Sequence, residues 1–212
     1  MKPIAAGPTR NEIAAPAPEN QTQTGTIFET PYVVSCNDRG MNIIIANRQH
    51  TKKINRRLLN QMSAALLAEL KVESAELGIQ LVAAPEITRL NEKFLRHAGP
   101  TDVIAFDYTD DVGADVRRLS KPKRGSRSGS ETPHVVSYKS IHADIFICLD
   151  EAVRQARKFG TNWRLEVVRY LIHGILHQLG FDDASASARR KMRREENRRL
   201  RELSRRFPLS KL

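Results

Sequence analysis

A chain of 212 residues has room for one domain with appendages. Thirty-five basic against 24 acidic side chains leave a net charge of +11 and a pI near 10.0, which favours polyanionic partners, nucleic acid foremost, and says nothing of catalysis. Cys36 and Cys148 stand apart from each other and from any CxxC spacing, so a disulfide framework is excluded and a reducing, cytoplasmic setting is expected. No apolar run nears the roughly 18 residues of a bilayer span, and the start of the chain lacks the order of a signal peptide, so no membrane association is expected.

Residues 1–40 are rich in Ala, Pro, Thr, Asn and Gln without sustained periodicity, and read as a disordered leader. A true translation start at Met41 would make that leader an upstream mis-start. Met41-Asn-Ile-Ile-Ile-Ala46 is the first strong strand signal. Ile54, Leu58, Met62, Ala65, Leu66 and Leu70 recur at helical spacing and predict an amphipathic helix over 51–71. Ile79–Ala83 predicts a second strand, and Pro85 opens a short helix over about 86–95. Val103–Phe106 and Ala143–Cys148 predict the third and fourth strands.

Between them, about 107–140, lies the polar excursion containing Lys121-Pro-Lys-Arg-Gly-Ser-Arg-Ser-Gly-Ser130, which cannot supply a core and reads as a flexible basic loop. A helix over about 150–159 stops at Gly160, and Asn162 can cap the next, whose apolar positions Leu165, Val168, Ile172, Leu176 and Leu179 place it in the centre of the domain. From Arg189 to Leu212 eleven basic and three acidic side chains predict a solvated basic tail suited to phosphate contacts.

Chemistry is concentrated in His173-Gly-Ile-Leu-His177-Gln-Leu-Gly180-Phe-Asp-Asp183. Two histidines four apart lie one turn above the other on one helix face, so both imidazoles can reach one metal ion. Gly180 can end the helix in the left-handed region and turn the chain back, bringing a carboxylate round as a third ligand. Three protein ligands with an open position make a catalytic rather than a closed structural zinc arrangement. Zinc peptidases of the HExxH kind carry their general base directly after the first histidine. That position is Gly174 here, which disfavours peptide hydrolysis.

This run resembles the HGxLHLxGYDH signature of the YbeY family of bacterial metal-dependent endoribonucleases. Three further segments are similar to that family in the same order: Asn91-Glu-Lys-Phe-Leu-Arg96 to N-x-x-[YF]-R, Pro100-Thr-Asp-Val-Ile-Ala-Phe106 to PTDVLSF, and His142-Ala-Asp-Ile-Phe-Ile147 to LGDIVI. The resemblance spans Met41 to Asp183. It implies that His173, His177 and Asp183 hold the metal, one zinc ion per chain, and that Arg96 lines the active-site groove, where a guanidinium can hold a phosphate and offset developing charge. Thr101 and Asp102 read as structural, setting the turn into the third strand.

The family has histidine where this chain has Asp183; the added negative charge should lower the Lewis acidity of a bound zinc. Asp182 is the rival ligand but coincides with the family's own aspartate. Ala143 and Ala105 replace a family glycine and serine.

The expected architecture is α/β (α+β): a small mixed four-stranded sheet packed with helices, with a central buried helix carrying the metal-binding histidines. A catalytic domain over 41–187 would be followed by the basic tail, 188–212. The resemblance implies single-strand endonucleolytic cleavage in rRNA processing, at the 3′ end of 16S rRNA, and in ribosome quality control, with RNA and the small ribosomal subunit as partners. A zinc hydrolase of another class, such as a peptidase, and a non-catalytic RNA-binding assembly factor are the alternatives.

Overall fold

The computed structural model describes residues 32–36, 40–108 and 140–212. Five strands form one mixed sheet: β1 (Tyr32–Cys36), β2 (Met41–Asn47), β3 (Ser74–Val82), β4 (Val103–Asp107) and β5 (Ser140–Cys148), in the order β1-β2-β3-β5-β4. β2, β3 and β5 run parallel, while β1 and β4 are antiparallel edges. The four expected strands are all present. The fifth, β1, falls inside the stretch expected to be a leader: Tyr-Val-Val-Ser-Cys has strand-forming residues, but the Pro- and Thr-rich surroundings obscure them. The rest of that leader, and 109–139 of the expected basic loop, lie outside the described residues.

Alternation along the central strands turns Ile43 and Ile45, Leu77 and Ile79, and Ala143 and Ile145 to one face, with Ile45, Ile79 and Ile145 in register across the three strands. Against that face pack α1 (Arg56–Glu69) and α4 (Trp163–Gln178). Asn55 caps α1, its side chain accepting from the Leu58 N–H at 3.0 Å. The other face carries a smaller core of Val82, Ile87, Ile104 and Cys148 beneath α2 (Ala84–Leu90). α2 runs on into a π-helical turn, Asn91–Leu95. α3 (Leu149–Phe159) ends at Gly160, which takes the left-handed conformation at φ 64°.

α4 is the centre of the molecule, as expected. Val167, Val168, Leu171, Ile172, Ile175 and Leu176 are fully buried, each side chain worth about 1.5–3 kcal/mol of transfer free energy. Gly174 lets the helix come this close: a Cβ there would sit 2.8 Å from Ile145 Cγ2 on β5.

The tail departs from expectation. Residues Ala186–Arg206 form α5, a 21-residue helix that packs on the main core through Met192, Leu200 and Leu203 instead of standing free in solvent. Its apolar positions are few but fall on one side, and most of the arginines that dominate the composition are exposed on the other, Arg199 being buried. The chain end is tied down too, with the Leu212 carbonyl accepting from Asn55 N at 3.0 Å and the Leu212 side chain buried. α5 is therefore part of the domain. No helix among the described residues is long and apolar enough to cross a membrane.

Candidate metal centre and cleft

α4, the turn after it and α5 build one site between them. His173 and His177 share a face of α4, with their Nε2 atoms 2.9 Å apart. A Schellman turn ends the helix: Gly180, at φ 82°, donates to the His177 carbonyl at 2.9 Å and Phe181 to the Leu176 carbonyl at 3.1 Å. The chain then reverses. Asp182 Oδ1 accepts from the N–H groups of Asp183 and Ala184 at 2.7 and 3.0 Å, which commits that side chain to the turn. Arg189, one turn into α5, donates to the carbonyls of Asp183 and Ala184 at 3.0 and 2.8 Å. Asp183 is thereby carried to the two imidazoles, and the ligand atoms of His173, His177 and Asp183 all lie within 4.8 Å of one another.

Donor type and spacing fit a divalent metal. Ligand atoms about 2.0–2.1 Å from a tetrahedral zinc stand roughly 3.3 Å apart, between the His–His separation of 2.9 Å and the 4.8 Å limit of the set.

Behind the first ligand stands a residue that sequence reasoning missed. His173 Nδ1 donates to Glu196 Oε1 at 2.6 Å, from a carboxylate buried within α5. Arg169 reaches the other oxygen of Glu196 at 3.9 Å and donates to Asn197 Oδ1 at 2.9 Å. With Nδ1 committed to Glu196, Nε2 is the nitrogen left for a metal. Burial works to lower the His173 pKa, but the hydrogen bond and charge of Glu196, helped by Asp102 and Asp183, hold it above the ordinary histidine value. For His177 burial and the neighbouring His173 charge win over Asp183, and its pKa is lowered, which favours the neutral form a ligand needs. A signal for Glu196 was available: it is the one acid in the apolar row Met192–Glu196–Leu200 at helical i, i+4 spacing.

Beside the ligands opens a cleft of about 200 Å³ lined by Asp102, Tyr170, His173, Asp183, Arg189 and Arg193, among others. Asp102 performs the structural task expected of it, accepting from the Val103 N–H at 2.9 Å and from Thr101 Oγ1 at 3.1 Å, and in addition faces the cleft. Tyr170 is buried with its hydroxyl unpartnered among the described residues, and burial followed by the Asp102 charge raises its pKa, so it stays a neutral phenol able to donate. Arg96 is not among the residues that line this cleft. It closes the π-helical turn in the left-handed conformation at φ 57°, with its side chain exposed. Asn91 of the same motif is buried and ties that turn to the following loop by donating to the Gly99 carbonyl at 2.8 Å.

The family described as Endoribonuclease YbeY matches residues 41–204, from the start of β2 to the last turns of α5. The chain belongs to the YbeY family. It is 28% identical to an endoribonuclease YbeY of Finegoldia magna over 77% of this chain and 94% of the relative, and 34% identical to one of Anaeromyxobacter dehalogenans over 66% and 60%. It is also similar to TM1509 of Thermotoga maritima, whose solution structure it matches with a TM-score of 0.47 at 21% identity over 79% of this chain and 95% of that one. The YbeY match takes in α5 as well as the His173–Asp183 run, which agrees with the packing of that helix into the core and with Glu196 standing behind His173.

Proposed function

We propose that this protein is a zinc-dependent, single-strand-specific endoribonuclease of the cytoplasm, acting in rRNA processing at the 3′ end of 16S rRNA and in ribosome quality control on the small subunit. The observation that carries the reading is the convergence of His173, His177 and Asp183, at the signature positions of an endoribonuclease family, beside an arginine-edged cleft.

His173, His177 and Asp183 would hold the zinc, which when bound supplies Lewis acidity to a phosphoryl oxygen and to the attacking water. The chain's own groups do the rest. Glu196 orients His173, and Arg193 at the cleft edge offers a guanidinium to a phosphate. Arg96, exposed at the end of the π-helical turn, is the further guanidinium that the family resemblance implies for the active-site groove, where it would offset charge developing on the phosphate.

Peptide hydrolysis is disfavoured on steric grounds. A glutamate at 174, where HExxH peptidases carry their base, would drive its Cβ into Ile145. The deciding experiment incubates the zinc-loaded chain with single-stranded RNA, duplex RNA and casein, beside His177→Ala and a chelated control. Cleavage of single-stranded RNA alone, lost on chelation and in the variant, is expected. Full RNA cleavage after chelation would end the metal mechanism. RNA binding without any cleavage would favour a non-catalytic assembly factor instead.

A further inference from the structure

α5 does more than close the core. Its inward side carries Met192, Glu196, Leu200 and Leu203, and at its N-terminal end Arg189 and Arg193 line the cleft. On the outward side Arg190, Arg194, Arg201 and Arg205 are all exposed. At about 100° per residue these four fall within roughly 60° of arc, a single strip that runs about 22 Å along the helix from beside the cleft to its far end.

The acids of α5 do not neutralise this strip. Glu195 and Glu202 pair with Arg198 and Arg199, and Glu196 is turned inward to His173. Among the described residues, Arg190, Arg193, Arg194, Arg201 and Arg205 have no carboxylate partner. Like charges at i, i+4, as at Arg190 and Arg194 or Arg201 and Arg205, work against a helix in isolation. A row of unpaired guanidiniums that the helix retains at that cost, continuous with the mouth of a cleft, is complementary to a chain of phosphates.

We propose that the strip Arg190–Arg194–Arg201–Arg205 is a docking track for the phosphodiester backbone of an RNA strand leaving the cleft past Arg193. The inference rests on the RNA-cleaving reading and adds to it the path of the strand beyond the site. Contacts of this kind are indifferent to base sequence. They should govern affinity for long RNA and leave turnover of a short one unchanged.

The test uses the full-length chain stripped of metal, so that RNA is bound but not cut, and compares wild type with the triple variant Arg194→Ala/Arg201→Ala/Arg205→Ala by fluorescence anisotropy across a salt series. Three lost phosphate contacts should flatten the log–log salt slope by about 2 and weaken binding of a long single strand roughly tenfold to a hundredfold at physiological salt. The matching triple lysine variant should keep most of the affinity, which separates charge from folding. With zinc restored, cleavage of an oligonucleotide confined to the cleft should be unchanged in the alanine variant, while KM for the long RNA rises.

If wild type binds and cuts RNA but the alanine variant keeps both affinity and slope, the track is wrong and the ribonuclease reading stands. If wild type neither binds nor cuts RNA, both fall. Loss of binding to phosphatidylserine vesicles in the variant, with RNA binding intact, would replace RNA by a membrane surface and overturn the proposal.

Discussion

Glu196 holds His173 from behind: Nδ1 of the imidazole lies 2.6 Å from the buried carboxylate, and the two residues come from different helices. That bond leaves Nε2 as the nitrogen free for a metal and links the packing of α5 to the candidate ligand set on α4. Glu196→Gln keeps the shape but weakens the acceptor, and should cost about 10- to 100-fold in zinc affinity, the usual effect of losing a carboxylate behind a histidine ligand. Competition against a chromogenic chelator measures it. Unchanged affinity, with the helix content of wild type, would show that Glu196 only packs.

Asp183 is the departure from the family signature within the proposed ligand set. Asp183→Ala should leave a two-histidine site that binds zinc more weakly, with bound metal lost on gel filtration. Asp183→His restores the ligand type general to the family, removes a negative charge beside the ion, and should raise cleavage per bound zinc while keeping full stoichiometry. Metal analysis paired with single-turnover cleavage separates the two effects. Full affinity in the alanine variant would remove Asp183 from the site, since Asp182 is already occupied in the Asx turn.

Much of this site was legible in the sequence because its signals are local. The i, i+4 histidines, the helix-ending glycine and the following aspartates lie within eleven consecutive residues, and helix geometry alone brings them together. β2, α1 and α4 were equally readable from hydrophobic period. What escaped depends on tertiary packing. Glu196 lies 23 residues beyond His173, inside a segment whose arginine content hides three inward apolar positions. Asp102 was assigned its turn, but only the fold shows that the same side chain faces the cleft. Arg96 lies in a motif that was equally recognisable, and the fold adds that it closes the π-helical turn in the left-handed conformation with its side chain exposed.

Gly174 illustrates a residue with two readings that meet. As a missing catalytic glutamate it argues against peptidases, and as a contact it allows α4 to approach β5. Gly174→Ala forces a Cβ to within 2.8 Å of Ile145 Cγ2 and should destabilise the fold by about 1–3 kcal/mol despite the better helix propensity of alanine. Ile145→Ala removes Cγ2 together with the rest of that branched side chain. The double variant should therefore lose less than the sum of the two single changes in urea unfolding. Strict additivity would mean the two side chains are not in conflict.

Cys148 caps α3, with its sulfur 3.5 Å from the Glu151 N–H, and is fully buried. Burial, the largest influence, pushes its thiol up to about 11. In a Cys36→Ser background the native protein should therefore not react with a thiol reagent at pH 8, and should release one equivalent once unfolded. Rapid modification of the folded protein would show that the α3 N-terminus opens readily.

Glu151 gives the pH dependence a definite sign. Burial alone would raise its pKa, but Arg154 donates to both carboxylate oxygens and Gln155 Nε2 donates to one of them at 2.6 Å, so the folded value is lowered. A carboxylate depressed in the folded state contributes stability at pH values above its unfolded pKa of about 4.3, and loses it as the pH falls through the folded value. Glu151→Gln should then lower the Tm at pH 7, and the gap to wild type should close on acidification below about pH 4. Thermal melts across that range distinguish this from a packing defect, which would leave the gap independent of pH.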